Sequence, residues 1–303
     1  MSEIYVLFNP SACSDSGENK AHELDKIQLG GKPIYKNITE IADYAEFFSG
    51  IDESDTVIIA GGDGTLNRFI NDTDKIDIKP RLMYFAAGSG NDFLHDLGQN
   101  VGCEPFDIEK YITNLPTVTV KGRDYKFING VGYGIDGYCC EVGDKLRSTS
   151  DKPVNYTSIA IKGLLFHYNP TNATVIVDGV TRTYKKVWLA PTMNGRFYGG
   201  GMMVTPKQDR LNNDTLSVCI MYGSGKLKTL MVFPTIFKGE HVNHGEMVEV
   251  LTGREITVKF DKPTALQIDG ETILGVTEYT AHAAAKAVDN DTFLERKVSP
   301  KNS

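Results

Sequence analysis

Apolar residues are distributed along this chain in two textures. In the first third they form short continuous runs separated by helical periodicity. Ile4 to Phe8 (IYVLF), Thr56 to Ala60 (TVIIA) and Arg81 to Ala87 (RLMYFAA) are runs of the kind that a parallel sheet buries on both faces. Between the first two runs, Ala21, Leu24 and Ile27 recur at helical spacing before Gly30-Gly31. Ile41, Ala45 and Phe48 then line a second helix, which Thr39 would cap and Gly50 would end. Leu66, Phe69 and Ile70 open a third helix after TVIIA. This alternation predicts a parallel sheet covered by helices.

Beyond about residue 120 the pattern changes to strand-like alternation. TVTVKGRDYKFIN alternates, and TNATVIVDGVTRTYKKVWLAP reads as a hairpin turning at Asp178-Gly179. DTLSVCIMY, REITVKF, ALQIDG and TEYTAHA are further strands, with helices only near 155–166 and 226–237. The predicted fold is therefore α/β plus all-β. A three-layer α/β nucleotide-binding domain spans 1–122, and a mainly antiparallel, sandwich-like β domain spans 123–288. A tail, 289–303, either returns to the first domain or is disordered. A length of 303 residues suits two domains of roughly 150 each.

The composition is 41% apolar and 23% charged, enough for a real core, and the net charge is −7. That acidity argues against nucleic acid as a partner, since such proteins carry a basic excess. Contact with an anionic membrane would need a local basic face, for which Lys145, Arg147 and Lys152, or Lys185 and Lys186, are candidates beside the alternative of plain solvated charges. The N-terminus lacks a basic segment followed by a long apolar one, and no run approaches roughly 18 apolar residues, so neither a signal peptide nor a spanning helix is predicted. Cys13, Cys103, Cys139, Cys140 and Cys219 are odd in number and lack metal-type spacing, which predicts reduced thiols in the cytoplasm.

The strongest chemical signal is Gly61-Gly62-Asp63-Gly64-Thr65, between an apolar strand and a helix. Glycines let backbone approach a phosphate, and the helix start offers free N–H groups. An Asp there would repel a bare phosphate, so it points to a Mg²⁺-nucleotide; the alternative is a tight turn with Asp63 as a cap. Gly88-Ser89-Gly90-Asn91-Asp92 follows the next strand and would face the same crevice, or simply cap a helix. Gly132-x-Gly134-x-x-Gly137 matches the dinucleotide pattern, but it lies mid-chain without a clear βαβ unit and is set aside. His241-x-x-His244 reads as solvated or structural rather than as a metal pair, and Tyr184 and Trp188 as core. Leu164-Leu165-Phe166 and Leu230 to Phe237 can line a lipid cleft or pack in the core.

GGDGTLN with a downstream GSGNDF resembles the bacterial diacylglycerol-kinase-like lipid kinases, relatives of sphingosine and ceramide kinases. Asn9-Pro10, Thr39, Asn129-Gly130-Val131-Gly132, Gly134-Ile135-Asp136-Gly137, Asn213-Asp214 and Asp269-Gly270-Glu271 follow in order, so the resemblance covers nearly the whole chain. It implies an ATP- and Mg²⁺-dependent phosphotransferase acting on a lipid hydroxyl, most simply diacylglycerol. It implies ATP contacts from Asn9, Pro10, Ser11 and on to Cys13, from Thr39, Gly61, Gly62, Gly64, Thr65 and Asn67, and from Ser89 and Asn91. Asp63 would serve catalysis at the phosphates. Asp214 would hold Mg²⁺ with the carbonyls of Leu211 and Leu216, and Glu271 would be the general base. The enzyme would be cytoplasmic, touch the membrane only peripherally to reach its lipid, and belong to a group whose members can dimerise.

The chain departs from the family at Ser11-Ala12-Cys13, where a glycine is usual, and at Thr215, where Gly is common. Ser89 replaces Thr, and His95 falls where Arg is common. Two alternatives stay open. One is an NAD-kinase-like phosphotransferase, which would share GGDGT but have a TGSTAY-like motif that this chain lacks. The other is a non-catalytic lipid-binding protein, which would have lost an acid among Asp63, Asp214 and Glu271, all present here.

Overall fold

The computed structural model describes residues 2–12, 16–88, 90–149, 154, 156–211 and 214–285. Cys13, Ser89, Lys152, Asn213 and the tail 289–303 lie outside the described residues. The first apolar runs form a five-stranded sheet of β1 (Ile4–Phe8), β2 (Pro33–Asn37), β3 (Thr56–Gly61), β4 (Arg81–Ala86) and β5 (Phe106–Asp107), in the order β2-β1-β3-β4-β5. The pairings of β1 with β2, β1 with β3 and β3 with β4 are parallel, while β5 joins the edge antiparallel, so the sheet is mixed. One face packs Leu7, Val57, Ile59, Leu66, Phe69 and Phe93; the other packs Val6, Phe8, Leu24, Ile58 and Phe85. Burial on both faces is why β1, β3 and β4 read as unbroken apolar runs.

The helices of this half are α1 (Gly17–Ala21), α2 (Tyr44–Ser49), α3 (Asp63–Asp72), α4 (Asp92–Asp96) and α5 (Glu109–Ile112). Gly50 ends α2 as expected, but Thr39 does not cap it. Asp43 does, accepting N–H bonds from Ala45 at 2.7 Å and Glu46 at 3.1 Å, because Ile38–Glu40 closes a separate 3₁₀ turn.

The second sheet begins at β6 (Thr117–Val120), upstream of the boundary expected at 122, because β6 pairs with the last strand instead of the first sheet. It continues through β7 (Arg123–Lys126), β8 (Gly130–Tyr133), β9 (Thr171–Val177), β10 (Val180–Val187) and β11 (Thr192–Met193). The small pair β12 (Phe197–Tyr198) and β13 (Met202–Met203) stands apart; β14 (Leu216–Met221), β15 (Val248–Gly253), β16 (Glu255–Ile268) and β17 (Glu271–His282) complete the sheet. Its pairings are antiparallel, and the expected β9–β10 hairpin turns at Asp178 and Gly179, both with positive φ. One core cluster gathers Val131, Tyr133, Val175, Val218, Val258 and Tyr279; another, under the helices, gathers Ile135, Leu164, Trp188, Val232 and Ile236. The whole is an N-terminal α/β domain joined to an antiparallel β-sandwich.

Three helices decorate the sandwich: α6 (Ile135–Arg147), α7 (Tyr156–Lys162), which runs into a π-helical turn at Gly163–His167, and α8 (Lys226–Val232). Helix α6 follows β8 directly, so the Gly132-x-Gly134-x-x-Gly137 pattern does sit on a strand–helix turn. The helix start is plugged by its own Asp136, whose carboxylate accepts from Tyr198 at 2.9 Å and fills the space a Cβ at Gly132 would need. That leaves no place for a pyrophosphate. His241 is buried and bonds the Val204 carbonyl, a structural role. Cys103, Cys139, Cys140 and Cys219 are free thiols. No helix among the described residues is long and apolar enough to cross a membrane.

Candidate active site

The two glycine-rich turns form one unit. A Cβ at Gly88 would lie 2.2 Å from the Gly62 Cα, so only bare backbone allows the two loops to touch. Asp63, in the first turn of α3, sends its carboxylate across to α4, accepting N–H bonds from Asp92 at 2.6 Å and Phe93 at 3.2 Å. It thus stands in the first loop and caps the second loop's helix, rather than its own turn as the capping alternative expected. Burial pushes its pKa up, against the pull of those amides and of the Arg210 charge.

Asn91 takes a left-handed φ of 49° and turns its side chain inward, donating to the Gly88 carbonyl at 2.7 Å. Its Oδ1 is buried without a partner. Asn9 donates to the Thr65 hydroxyl at 3.3 Å and accepts from the Ser11 amide, bringing the Asn9-Pro10-Ser11 turn onto α3. Thr39 stays on the exposed 3₁₀ turn, bonded to Asn37. Gly61, Gly62, Gly64 and Thr65 lie at the strand–helix junction.

Asn67, expected at the nucleotide, points the other way. It is buried and donates to the Lys126 carbonyl at 3.2 Å and to Asp269 at 2.8 Å. Asp269, with φ of 45°, accepts the amides of Ile128 at 2.5 Å and of Asn129 and Gly130 at 2.9 Å each. Its pKa is pushed up to about 6, first by burial against those amides and also by the Asp63 charge. The Asp269-Gly270 turn is therefore a clamp on the helix that carries GGDGT. Just beyond it, Glu271 is exposed and faces Arg68 of the same helix at 3.5 Å.

The second loop's helix is clamped as well. Asp92 accepts the Gly200 and Gly201 amides at 2.8 and 2.6 Å. Burial, then the neighbouring Asp63 charge, pushes its pKa up to about 7. Asp96 bonds Arg196 at 2.8 Å and Arg210 at 2.5 Å, the last as a buried pair. Arg210 also donates to the Ile128 carbonyl and the Asn129 side chain. Asp96, Arg196 and Arg210 are residues that sequence reasoning did not assign to the site; Asp92 and Asp269 lay in motifs it singled out, without a role of their own. For Asp96 a signal existed, as a carboxylate three residues after Phe93 and so on its face.

The proposed metal loop follows Arg210, whose charge reaches Asp63. Asp214 accepts from the Arg254 guanidinium, Leu211 is exposed and Leu216 is buried at the start of β14. Among the described residues no group of three or more His, Cys, Asp or Glu side chains could hold a metal ion.

Comparison with known proteins converges on one group. Residues 3–120 match the diacylglycerol kinase catalytic domain, and residues 129–289 match the YegS C-terminal NAD kinase beta sandwich-like domain. A diacylglycerol kinase of Mycobacterium tuberculosis is 28% identical over 218 residues, covering 69% of this chain and 68% of that protein. A diacylglycerol kinase of Bacillus subtilis is 22% identical over 280 residues, covering 89% and 90%. A solved diacylglycerol kinase structure from Bacillus anthracis superposes with a TM-score of 0.58 at 18% identity, over 93% of this chain and 94% of that one, which shows a shared fold.

Proposed function

Because the chain belongs to the bacterial diacylglycerol-kinase-like lipid kinase family, we propose that it transfers the γ-phosphoryl group of ATP to a lipid hydroxyl, with diacylglycerol as acceptor and phosphatidic acid as product. One observation carries the reading. Both glycine loops and the Asp269–Glu271 turn meet at a single domain junction, held by the Asp63–Asp92, Asn67–Asp269 and Arg68–Glu271 contacts.

The donor set fits a Mg²⁺-nucleotide. Gly64 leaves open space where a Cβ would stand at the start of α3, and the buried Asn91 Oδ1 lacks a partner. Burial raises the cost of ionising Asp63, and burial with the Asp63 charge that of Asp92, which a nearby cation would relieve. Asn9, Pro10, Ser11, Thr39, Gly61, Gly62, Gly64, Thr65 and Ser89 would hold the nucleotide. Asn67 and Asn91 act one step back, fixing the loops. Asp214 and the carbonyls of Leu211 and Leu216 would hold Mg²⁺, with Arg254 leaving the carboxylate. The bound complex supplies the phosphoryl group and positive charge for its oxygens.

The chain's own residues do the rest. The α3 amides would stabilise anionic oxygens without reorganising, because Asp63, Asp92 and Asp269 already fix α3 against α4 and the β domain; the Asp92 and Phe93 amides of α4 are taken by Asp63. The Glu271 carboxylate accepts the proton of the lipid hydroxyl, and Arg68 orients it. The enzyme would work from the cytoplasm and visit the bilayer for its substrate. The identity of the acceptor is tested by incubating the protein with γ-labelled ATP and a total lipid extract. Label in phosphatidic acid supports the proposal. Label in another phospholipid would change the acceptor, and label in no lipid would defeat the reading.

A further inference from the structure

The two apolar stretches Leu164 to Phe166 and Leu230 to Phe237 are divided by the fold. Leu164, Val232, Phe233 and Ile236 enter the core under the helices. Their neighbours do not: Phe166 is 71% exposed, Leu227 72% and Met231 64%, with Ile161 and Phe237 also exposed. Leu227 and Met231 stand four residues apart on α8 and so share a face, opposite the buried Thr229 and Val232. The two segments touch: the Lys226 ammonium at the start of α8 donates to the Leu165 carbonyl at 3.1 Å, beside Phe166. A clustered set of bare apolar tips is more than the scattered exposure of an ordinary surface.

The two segments themselves carry charge of one sign. Residues 156–167 and 226–238 contain Lys162, Lys226, Lys228 and Lys238 and no acidic residue, in a chain of net charge −7. Glu246 neutralises Lys228 at 2.8 Å and leaves the other three lysines. Lysine stems can lie along apolar surface while their ammonium groups reach phosphate. The faces expected from sequence lack this combination. Lys145 and Arg147 are paired on their own helix with Glu141 at 2.6 Å and Asp144 at 2.5 Å. Lys185 and Lys186 sit on β10 among the outward polar residues Thr181, Arg182 and Thr183.

We infer that the face formed by α7, its π-helical turn and α8 docks the protein on an anionic lipid bilayer, with Phe166, Leu227 and Met231 entering the interface and Lys162, Lys226 and Lys238 meeting headgroup phosphates. This rests on the lipid-kinase reading only for the purpose of the contact; the contact itself follows from apolar tips and complementary charge.

Sedimentation with phosphatidylcholine vesicles, with and without phosphatidylglycerol, tests it. The protein should bind the anionic vesicles, and binding should weaken with added salt. The double variant Leu227→Glu/Met231→Glu should lose at least about tenfold in partitioning at an unchanged melting temperature, since charges replace side chains that enter apolar surroundings. Lys162→Glu and Lys238→Glu should each cost about fivefold on anionic vesicles only. Phe166→Ser, in the other segment, keeps the test open should the double variant fold poorly. The inference is overturned if the protein stays in the supernatant with both vesicles, or if the variants bind like the parent. It is also overturned if sedimentation velocity shows a dimer that the double variant splits, which would assign the face to a second copy. Vesicle binding uses no ATP, so the two readings separate. Binding without label transfer would sustain the docking face and defeat the kinase, while transfer to lipid in detergent micelles without vesicle binding would do the reverse.

Discussion

Asp269→Ala should destabilise the protein more in acid than at neutral pH. The Asp269 carboxylate accepts three backbone amides, from Ile128, Asn129 and Gly130, and the Asn67 side chain. Truncation strands those three amides, at about 1–3 kcal/mol each if they stay dry. Against this stands the burial of the charge. Its pKa rises from 3.8 to about 6, a difference worth up to about 3 kcal/mol. A carboxyl whose folded pKa is raised holds its proton more tightly when folded. Its contribution is therefore most favourable below about pH 4 and falls as pH rises to about 6. Removing Asp269 forfeits the bonds at every pH but escapes the charge cost only above that window. The loss on substitution should thus be about 3–9 kcal/mol at pH 4 and smaller by up to about 3 kcal/mol at pH 7.5. Trp188 is the single tryptophan, is buried, and donates to the Ser224 carbonyl, so its fluorescence reports unfolding in urea at both pH values. Equal losses at the two pH values, or a loss below about 1 kcal/mol, would refute the clamp.

Glu271→Gln should lower kcat by about 10²–10⁴-fold with the KM for ATP little changed, and a variant keeping more than half the parent rate would end its role as base. Asp214→Asn should weaken the Mg²⁺ dependence of turnover; an unchanged Mg²⁺ titration would leave Asp214 a structural partner of Arg254 with no metal role. Arg210→Ala should cost about 3–5 kcal/mol in denaturant titration, because it leaves the buried Asp96 with only the more exposed Arg196; a loss under about 1 kcal/mol would show that Arg196 suffices.

Strands β1, β3 and β4 of the first sheet were legible because each is buried on both faces and long enough to leave an apolar run, whereas the half-exposed β2 leaves none. The two-residue strands β5, β11, β12 and β13 are too short to carry a period. Helix α6 escaped notice because glycines interrupt its apolar pattern, and packing requires them. A Cβ at Gly137 would meet the Ala265 carbonyl oxygen at 1.9 Å, and one at Gly143 the Tyr156 ring at 2.7 Å. The Asp-Lys-Pro-Thr stretch from Asp261 looks like a break between strands, yet β16 runs through it with a shift of register. At the site, the glycine loops were visible because close backbone approach permits only glycine. The clamps were not, because Asn67 and Asp269 are 202 residues apart in sequence and nothing local marks either as the other's partner. Asp63 was read as facing a Mg²⁺-nucleotide or capping its own turn; its bonds to α4 mean that Asp63→Ala removes another helix's cap as well as an acid.

That double role decides how the central claim is best tested. Wild-type protein and Asp63→Asn, which keeps one acceptor oxygen for the shorter α4 contact, to the Asp92 amide, are compared for transfer of label from γ-labelled ATP to diacylglycerol in mixed micelles with Mg²⁺, with NAD as a soluble control acceptor. The account predicts labelled phosphatidic acid from the wild type, no labelled NADP, and a drastic loss of lipid label in Asp63→Asn at a nearly unchanged melting temperature. Label in NADP but not in lipid, or lipid label from Asp63→Asn at the wild-type rate, would contradict it.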